Sequence, residues 1–333
     1  MARLAINGFG RIGRAVFKIV FDSQELELVA INDLLPTESL AYLLNYDTIY
    51  GRYHHRVEAA DNALKIGDRT IPVYSERNPS DLPWAESKID VVAECSGFFT
   101  ELVKAKAHLD AGSKYVVISA PSKSPEIATV VHGVGHPESE EKRVFSCASC
   151  TTNSITPVVE VVGRRIGVRK AALTTVHAYT STQSLVDTPV TNLRRGRAAA
   201  QNIVPSTTGA AIATTKVLPE YVGKFDGISL RVPVPVGSIS DITFVTERST
   251  TVDELNEIFR EEVATDRYNE VLAVSDEEIV SSDIVGDTHA SIVDLTLTQV
   301  VDGDLVKVFA WYDNETGYSN QLVREVKRVL SIS

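Results

Sequence analysis

The sequence predicts an α/β protein: a doubly wound, largely parallel sheet followed by an α+β domain with a mainly antiparallel sheet. Three observations carry that expectation. Up to about Ser149, short apolar strands alternate with amphipathic helices. Beyond Cys150 the texture changes to long runs rich in β-branched residues, which favour strands. The 333 residues also exceed what one core comfortably serves, so two domains are expected.

In the first region Leu4–Asn7 reads as a strand, and Arg11–Phe21 as a helix with Ile12, Val16, Ile19 and Val20 on one face. Leu26–Asn32, Asp90–Cys95, Tyr115–Ser119 and Arg143–Ser146 read as further strands, with a helical stretch at Glu101–Asp110. In the second region Ala171–Thr180, Ile228–Val236, Asp241–Thr246, Ala290–Gln299 and Leu305–Tyr312 suit an antiparallel sheet. Thr251-Val252-Asp253-Glu254 fits a capping box that opens a helix running through Phe259. Ala210–Leu218 and Gly317–Leu330 read as helices. Ser181–Asn202 has little periodicity; loops of that length in a compact domain are usually functional or disordered.

Composition narrows the function. No apolar run approaches the ~18 residues of a membrane span. The chain enters a strand at once, without the pattern of a secretory signal, so a cytoplasmic protein is expected. A net charge of −11 disfavours nucleic acid and anionic membranes as partners, and an anionic substrate would need local cations. Three cysteines, Cys95, Cys147 and Cys150, make no disulfide scaffold but leave room for a reactive thiol. No metal is expected.

Gly8-Phe9-Gly10-Arg11-Ile12-Gly13 is a G-x-G-x-x-G turn between a strand and a helix. Its glycines permit a tight turn and close approach of a pyrophosphate, and the helix N-terminus offers N–H groups and a positive dipole end. Asp33 ends the next strand, 20 residues after Gly13, where an acid would hold a ribose 2′-hydroxyl and repel a 2′-phosphate. The first domain therefore reads as a Rossmann domain for NAD rather than NADP.

Ser149-Cys150-Thr151-Thr152 precedes the apolar run Ile155–Val162, which puts Cys150 at or near a helix start. There the dipole would stabilise a thiolate and lower its pKa. Pro157 should kink that helix or delay its start. A nucleophilic thiol needs a base. His54, His55, His132 and His136 stand in polar or turn-like contexts, and His108 and His289 have no polar companions suggesting chemistry. His177 ends a strand before the long loop and is the candidate. Among the arginines, Arg194, Arg195 and Arg197 sit in the loop, whereas Arg231 lies inside an apolar strand and needs an anionic partner. Thr207-Thr208-Gly209 precedes a helix and makes a second anion cup.

These residues resemble phosphorylating glyceraldehyde-3-phosphate dehydrogenases along the whole chain. The matching segments are INGFGRIGR at 6–14, IND at 31–33, ISAPSK at 118–123, ASCTTN at 148–153, HAYT at 177–180, LRRGRAAAQNIVPSTTGAA at 193–211, LRVPVP at 230–235, and WYDNE and GYSN within 311–320. The resemblance implies an NAD-binding domain at 1–149, a catalytic domain at 150–316 whose S-loop is 181–202, and a helix at 317–333 packing back on the first domain. It implies oxidation and phosphorylation of glyceraldehyde 3-phosphate with NAD and inorganic phosphate, through a thiohemiacetal and thioester on Cys150 with His177 as base. By position it assigns Gly8, Gly10, Arg11, Ile12, Gly13, Asp33, Arg77, Ser119 and Asn314 to NAD. It assigns Ser149, Thr151, Thr208 and Gly209 to the attacking phosphate, and Thr180, Arg195 and Arg231 to the substrate phosphate. A homotetramer follows by the same analogy, with the S-loop lining a neighbour's cofactor pocket.

Three positions depart from the family pattern: Ser154 for a cysteine, Thr316 for a tryptophan, and Cys147 for an asparagine. The tryptophan's loss removes a large ring near the nicotinamide side. Cys147 creates a C-x-x-C with Cys150 that would allow a reversible protective disulfide, although the end of a strand does not present both thiols to one point. The competing readings are an erythrose-4-phosphate dehydrogenase and a non-catalytic scaffold binding NAD or RNA. The Ser206–Ala210 segment and intact Cys150, His177 and Arg231 speak against them. Pro189 in the loop leans further toward NAD.

Overall fold

The computed structural model describes residues 1–135 and 142–331; His136 and the last two residues of the segment 317–333 lie outside the described residues. The chain forms two compact units. The first comprises residues 1–130, 142–148 and 322–331, and the second 131–135 and 149–321.

The first unit opens with β1 (Ala2–Asn7), α1 (Arg11–Phe21), β2 (Leu26–Asn32) and α2 (Thr37–Asn45). Two short strands, β3 (Tyr46–Asp47) and β4 (Gly51–Arg52), pair with each other. Then come β5 (Val57–Ala60), β6 (Ala63–Ile66), β7 (Arg69–Tyr74), β8 (Val91–Glu94), α3 (Leu102–Asp110), β9 (Tyr115–Ile118), β10 (Ala128–Thr129) and β11 (Val144–Ser146). One nine-stranded sheet runs in the order β10-β11-β9-β8-β1-β2-β7-β6-β5. It is parallel from β10 to β7, and β6 and β5 extend it as antiparallel hairpins. The hairpins turn at Asn62 and Gly67, both at positive φ, a signal in the sequence that apolar periodicity overlooks.

The buried face of α1 is Gly13, Val16, Phe17 and Val20, so Phe17 replaces the expected Ile12 and Ile19, which stay partly exposed. The helix lies on the sheet at the i, i+3, i+4, i+7 stripe. His108, expected to lack polar companions, is fully buried among them: Trp84 Nε1–H donates to its Nδ1 at 3.1 Å, and its Nε2 meets Glu94 at 3.0 Å. His289 likewise meets Asp287 at 2.8 Å. Local sequence cannot display the partners of His108, because they arrive from other strands and turns; Asp287, two residues before His289, was in view and overlooked.

The second unit begins with α4 (Cys150–Arg165) and continues through β12 (Val168–Ala178), β13 (Val204–Thr207), α5 (Ala210–Val217), β14 (Phe225–Val232), β15 (Ser238–Thr246), α6 (Val252–Val263), β16 (Leu272–Ser275), β17 (Ser291–Val301) and β18 (Leu305–Tyr312). Its seven-stranded sheet has the order β13-β14-β12-β15-β18-β17-β16. Most neighbours are antiparallel, but β12 pairs β14 in parallel and β16 pairs β17 in parallel. The first parallel pair was not expected from β-branched composition, which carries no direction, and it matters below. Ile155, Val158 and Val162 of α4 join Phe244, Val308, Leu255 and Phe259 in this unit's core. Thr251 caps α6 by accepting from the Glu254 N–H, while the Glu254 carboxylate turns to Thr250 and Arg248, so only half of the capping box forms. α7 (Thr316–Val329) closes the chain. Asp313 accepts from the N–H of Thr316 at its start; nothing in the structure explains the threonine in place of tryptophan.

Candidate active site

In the first unit the glycine turn is sterically fixed. Gly8 has φ +92°, and a Cβ there would strike the Ser96 backbone; a Cβ on Gly13 would strike the Gly8 carbonyl. At Gly10 nothing lies within 4 Å of a Cβ position, so open space faces the turn. Asp33 locks the turn by accepting from the Phe9 N–H at 2.6 Å and from Leu35 N–H at 3.0 Å. A cleft of about 570 Å³ lies against Gly8, Gly10, Asp33, Arg77 and Cys95. Arg77 stands exposed at its rim. Ser119 is partly buried, and its N–H donates to the Glu94 carbonyl. The Arg11 guanidinium pairs with Asp47 at 2.6 Å, which holds its side chain toward Asp47.

Beneath this cleft lies a buried polar ladder that the sequence reading did not single out. Glu94 accepts from Asn7 Nδ2 at 2.5 Å, Asn7 accepts from Asn32 Nδ2 at 2.7 Å, and Asn32 accepts from the Glu76 N–H at 2.8 Å. The other Glu94 oxygen takes the Ser96 N–H and hydroxyl. Asn7, Asn32 and Glu94 are all nearly fully buried, so each needs these partners.

In the second unit Cys150 is the first residue of α4, with Ser149 as N-cap accepting from the Thr152 N–H. Pro157 sits inside the helix rather than delaying its start; it has no N–H to give the Asn153 carbonyl. Cys150 Sγ lies 3.4 Å from His177 Nε2. His177 is 3% exposed, at the end of β12. The parallel pairing of β12 with β14 sets His177 directly opposite Arg231. His177 Nδ1 is 2.6 Å from both the Ala178 carbonyl and Arg231 Nη1, which also donates to that carbonyl at 3.0 Å. Two ring forms compete, each satisfying one of the 2.6 Å contacts while the other must relax outward. An Nδ1–H given to Ala178 leaves a basic Nε2 facing the thiol; an Nδ1 that accepts from Arg231 puts the proton on Nε2.

Burial, with the Arg231 charge, pulls the His177 pKa down to about 3, so its imidazole is neutral. Burial pushes the Cys150 thiol up, against the expected lowering; Arg231 and the Thr151 N–H pull the other way but do not prevail. Helix-start placement alone does not make a thiolate when the sulfur is packed round by protein. Tyr312, absent from the expected site, is buried here. Its hydroxyl bonds Thr151 at 2.9 Å and Thr175 at 2.8 Å, and its ring meets His177 edge-on. The WYDN segment was the signal that could have found it.

The anion-binding candidates surround this pair less directly. Arg195 reaches Ser206 through Nε and Nη2, each at 3.1 Å, and its charge acts against that of Arg231. The Thr208 hydroxyl accepts from the Ala210 N–H, and Gly209 caps α5. Thr180 bonds Thr182. Thr156 and Thr214 bond at 2.9 Å, tying α4 to α5. Among the described residues no direct bond joins Thr180, Thr208 or Gly209 to Cys150, His177 or Arg231. Asn314 Oδ1 accepts from Gly237 N–H and the Ser238 hydroxyl, which orients its amide NH2 away from those donors. Ser154 is buried against Ser291. Cys147 is 1% exposed and burial pushes its thiol well up, which works against a role as a resolving thiolate; no disulfide joins it to Cys150.

Residues 2–102 match the family described as glyceraldehyde 3-phosphate dehydrogenase, NAD binding domain, and residues 149–314 match its C-terminal domain. The chain is 48% identical over 336 residues to the glyceraldehyde-3-phosphate dehydrogenase of Thermotoga maritima, covering 100% of both chains. It is 46% identical over 324 residues to that of Streptomyces coelicolor, 96% of each chain, and 43% identical over 339 residues to that of Clostridium pasteurianum, 100% of each. With both domains matched and identity sustained from end to end, the chain belongs to the glyceraldehyde 3-phosphate dehydrogenase family.

Proposed function

We propose that the chain oxidises and phosphorylates D-glyceraldehyde 3-phosphate to 1,3-bisphosphoglycerate, using NAD and inorganic phosphate. The observation that carries this reading is the Cys150–His177 contact at a helix start with Arg231 in register beside it. The first unit fits NAD: its glycine turn faces open space at Gly10, and Asp33 lines the same cleft. Gly8, Gly10, Gly13, Ile12 and the Arg11 main chain would hold the pyrophosphate, Asp33 the ribose, Arg77 and Ser119 the rest of the adenosine side, and Asn314 the carboxamide. NAD supplies the hydride acceptor when bound.

The chain's own residues do the rest. The Cys150 sulfur attacks the aldehyde carbon while its proton passes through His177 Nε2 to the aldehyde oxygen, giving a thiohemiacetal and leaving the imidazole neutral again. His177 then takes the hydroxyl proton as the carbon loses hydride, leaving a thioester. A phosphate oxygen attacks that carbonyl, the C–S bond breaks, and Cys150 leaves as a thiolate beside the imidazolium. Ser149, Thr151, Thr208 and Gly209 place the attacking phosphate; Thr180, Arg195 and Arg231 hold the substrate's own phosphate. On a protein of net charge −11, such arginines and helix ends must supply the local positive potential.

The domain division follows the family: 1–149 for NAD, 150–316 for catalysis, and 317–333 returning to the first domain. A homotetramer accompanies this reading. Leu185, Val186 and Leu193 of the loop 181–202 are highly exposed apolar side chains, suited to cover by a neighbouring subunit. Cytoplasmic residence fits as well; no described helix is long and apolar enough to cross a membrane. The decisive assay follows NADH formation at 340 nm. Glyceraldehyde 3-phosphate, NAD and phosphate should give rapid turnover, with large losses when phosphate is omitted or NADP replaces NAD. Faster turnover of erythrose 4-phosphate, or phosphate-independent turnover, would overturn it.

A further inference from the structure

Far from the glycine turn, at the other end of α1, three side chains of the first unit aim donor atoms at one point. Asp22 is the C-cap residue of α1. His55 Nε2 lies 2.9 Å from Asp22 Oδ1, and His54 Nε2 lies 3.2 Å from Asp22 Oδ2. All three ligand atoms fall within 4.8 Å of one another. We propose that Asp22, His54 and His55 form a binding site for a borderline divalent transition metal, with Zn²⁺ as the representative ion.

The convergence is built rather than casual. Consecutive residues of an extended strand point to opposite faces, yet the chain bends at His54–His55, just past β4, and the two rings come to 4.2 Å. Tyr53 packs edge-on against both imidazoles, and Phe21 against His55, so the rings are held before any ion arrives. Asp22 is a carboxylate at a helix C-terminus, where the dipole is negative and a cation is favoured. Arg69 covers the neighbouring Phe21 carbonyl, and the imidazoles are the only side-chain partners of Asp22 among the described residues. A divalent ion held between the carboxylate and the two rings would supply the cation that this helix end favours.

The donor set selects the ion. Two imidazole nitrogens and one carboxylate suit Zn²⁺, Ni²⁺ or Cu²⁺, whereas Mg²⁺ and Ca²⁺ take oxygen ligands. A metal about 2.0–2.1 Å from each donor in a tetrahedron sets donor–donor edges of about 3.4 Å. His55 lies 2.9 Å from one Asp22 oxygen and His54 3.2 Å from the other, so rotation of the carboxylate and the rings brings one oxygen and both nitrogens onto a shared ion, with water completing the shell. A metal on each Nε2 requires the ring proton on Nδ1, and protons compete with the metal for the same nitrogens, so affinity should fall at acid pH. The bound ion would cross-link the end of α1 to the segment after β4.

The test uses the full chain with Cys150 alkylated by iodoacetamide, which removes the reactive thiol as a competing zinc ligand. Titrating Zn²⁺ by calorimetry should show binding that Mg²⁺ does not compete away, and Zn²⁺ should raise the thermal midpoint. The surface variant His54→Gln/His55→Gln, and separately Asp22→Ala, should weaken that binding by at least tenfold and abolish the thermal shift. NADH formation by the unalkylated variants should stay at the wild-type level. Zinc binding and thermal shift unchanged in the double variant, or no binding by the alkylated wild type, would overturn the proposal.

Discussion

Among the described residues each unit buries one histidine, and the two are held in opposite ways. His108 in the first unit has both ring nitrogens committed: Nδ1 accepts from Trp84, so Nε2 carries the proton and donates it to Glu94. That ring has one tautomer and nothing to exchange. His177 in the second unit faces a thiol through Nε2, while a carbonyl and a guanidinium compete at Nδ1. Burial is nearly complete in both, so burial does not distinguish a structural histidine from a reactive one. The distinction lies in whether the partners fix a single proton position or allow two.

Substitutions can break or sharpen that contrast. The largest effect is expected at Cys150. Cys150→Ser should lower NADH formation by at least about 10⁴-fold with little change in folding; retention of substantial turnover would make His177 as inert as His108. Next, Glu94→Ala leaves His108 and Asn7 buried without their acceptor, and should cost about 3–5 kcal/mol in urea unfolding. It should act on stability and NAD affinity rather than on the chemistry of the thiol.

A comparable effect, spread over several pH units so that it is smaller at any one pH step, follows from the depressed His177 pKa. In the folded chain the ring stays neutral down to about pH 3, whereas the unfolded ring protonates near 6.5. Stability from this group is therefore complete above about pH 6.5 and falls by about 1.4 kcal/mol per pH unit as the pH drops toward 3. His177→Gln should flatten that part of the acid-unfolding curve; an unchanged slope would contradict the depressed value. The smallest effect is expected for Tyr312→Phe, which removes the hydroxyl shared by Thr151 and Thr175 and should cost about 1 kcal/mol, read from the urea midpoint.

The first unit was largely legible because its signals are local. The glycine turn, Asp33 and the alternation of strands and helices each sit within a short window. The hairpins from Val57 to Tyr74 escaped because their strands are short and only half apolar. In the second unit, Cys150 at a helix start was readable from Ser149 and the apolar run behind it. Its pKa was not, because packing round the sulfur comes from elements far along the chain. The match of His177 to Arg231 depends on a parallel pairing across 54 residues, and β-branched runs say nothing about strand direction. Glu94 and His108 were missed for the same reason: a buried polar group looks unpartnered until the strands are laid side by side.

The ladder from Glu94 through Asn7 and Asn32 to Glu76 has a consequence for assembly. Its members belong to β8, β1, β2 and the residues just after β7, four neighbours in the sheet. Apolar parallel strands buried on both faces can slide past one another at little cost, since one valine resembles the next. A row of amides and one carboxylate cannot: slipping any strand by one residue would leave several of them in the interior with nothing to bond. The ladder thus acts as a key for strand alignment, penalising misregistered sheets by the polar groups they would strand in the interior.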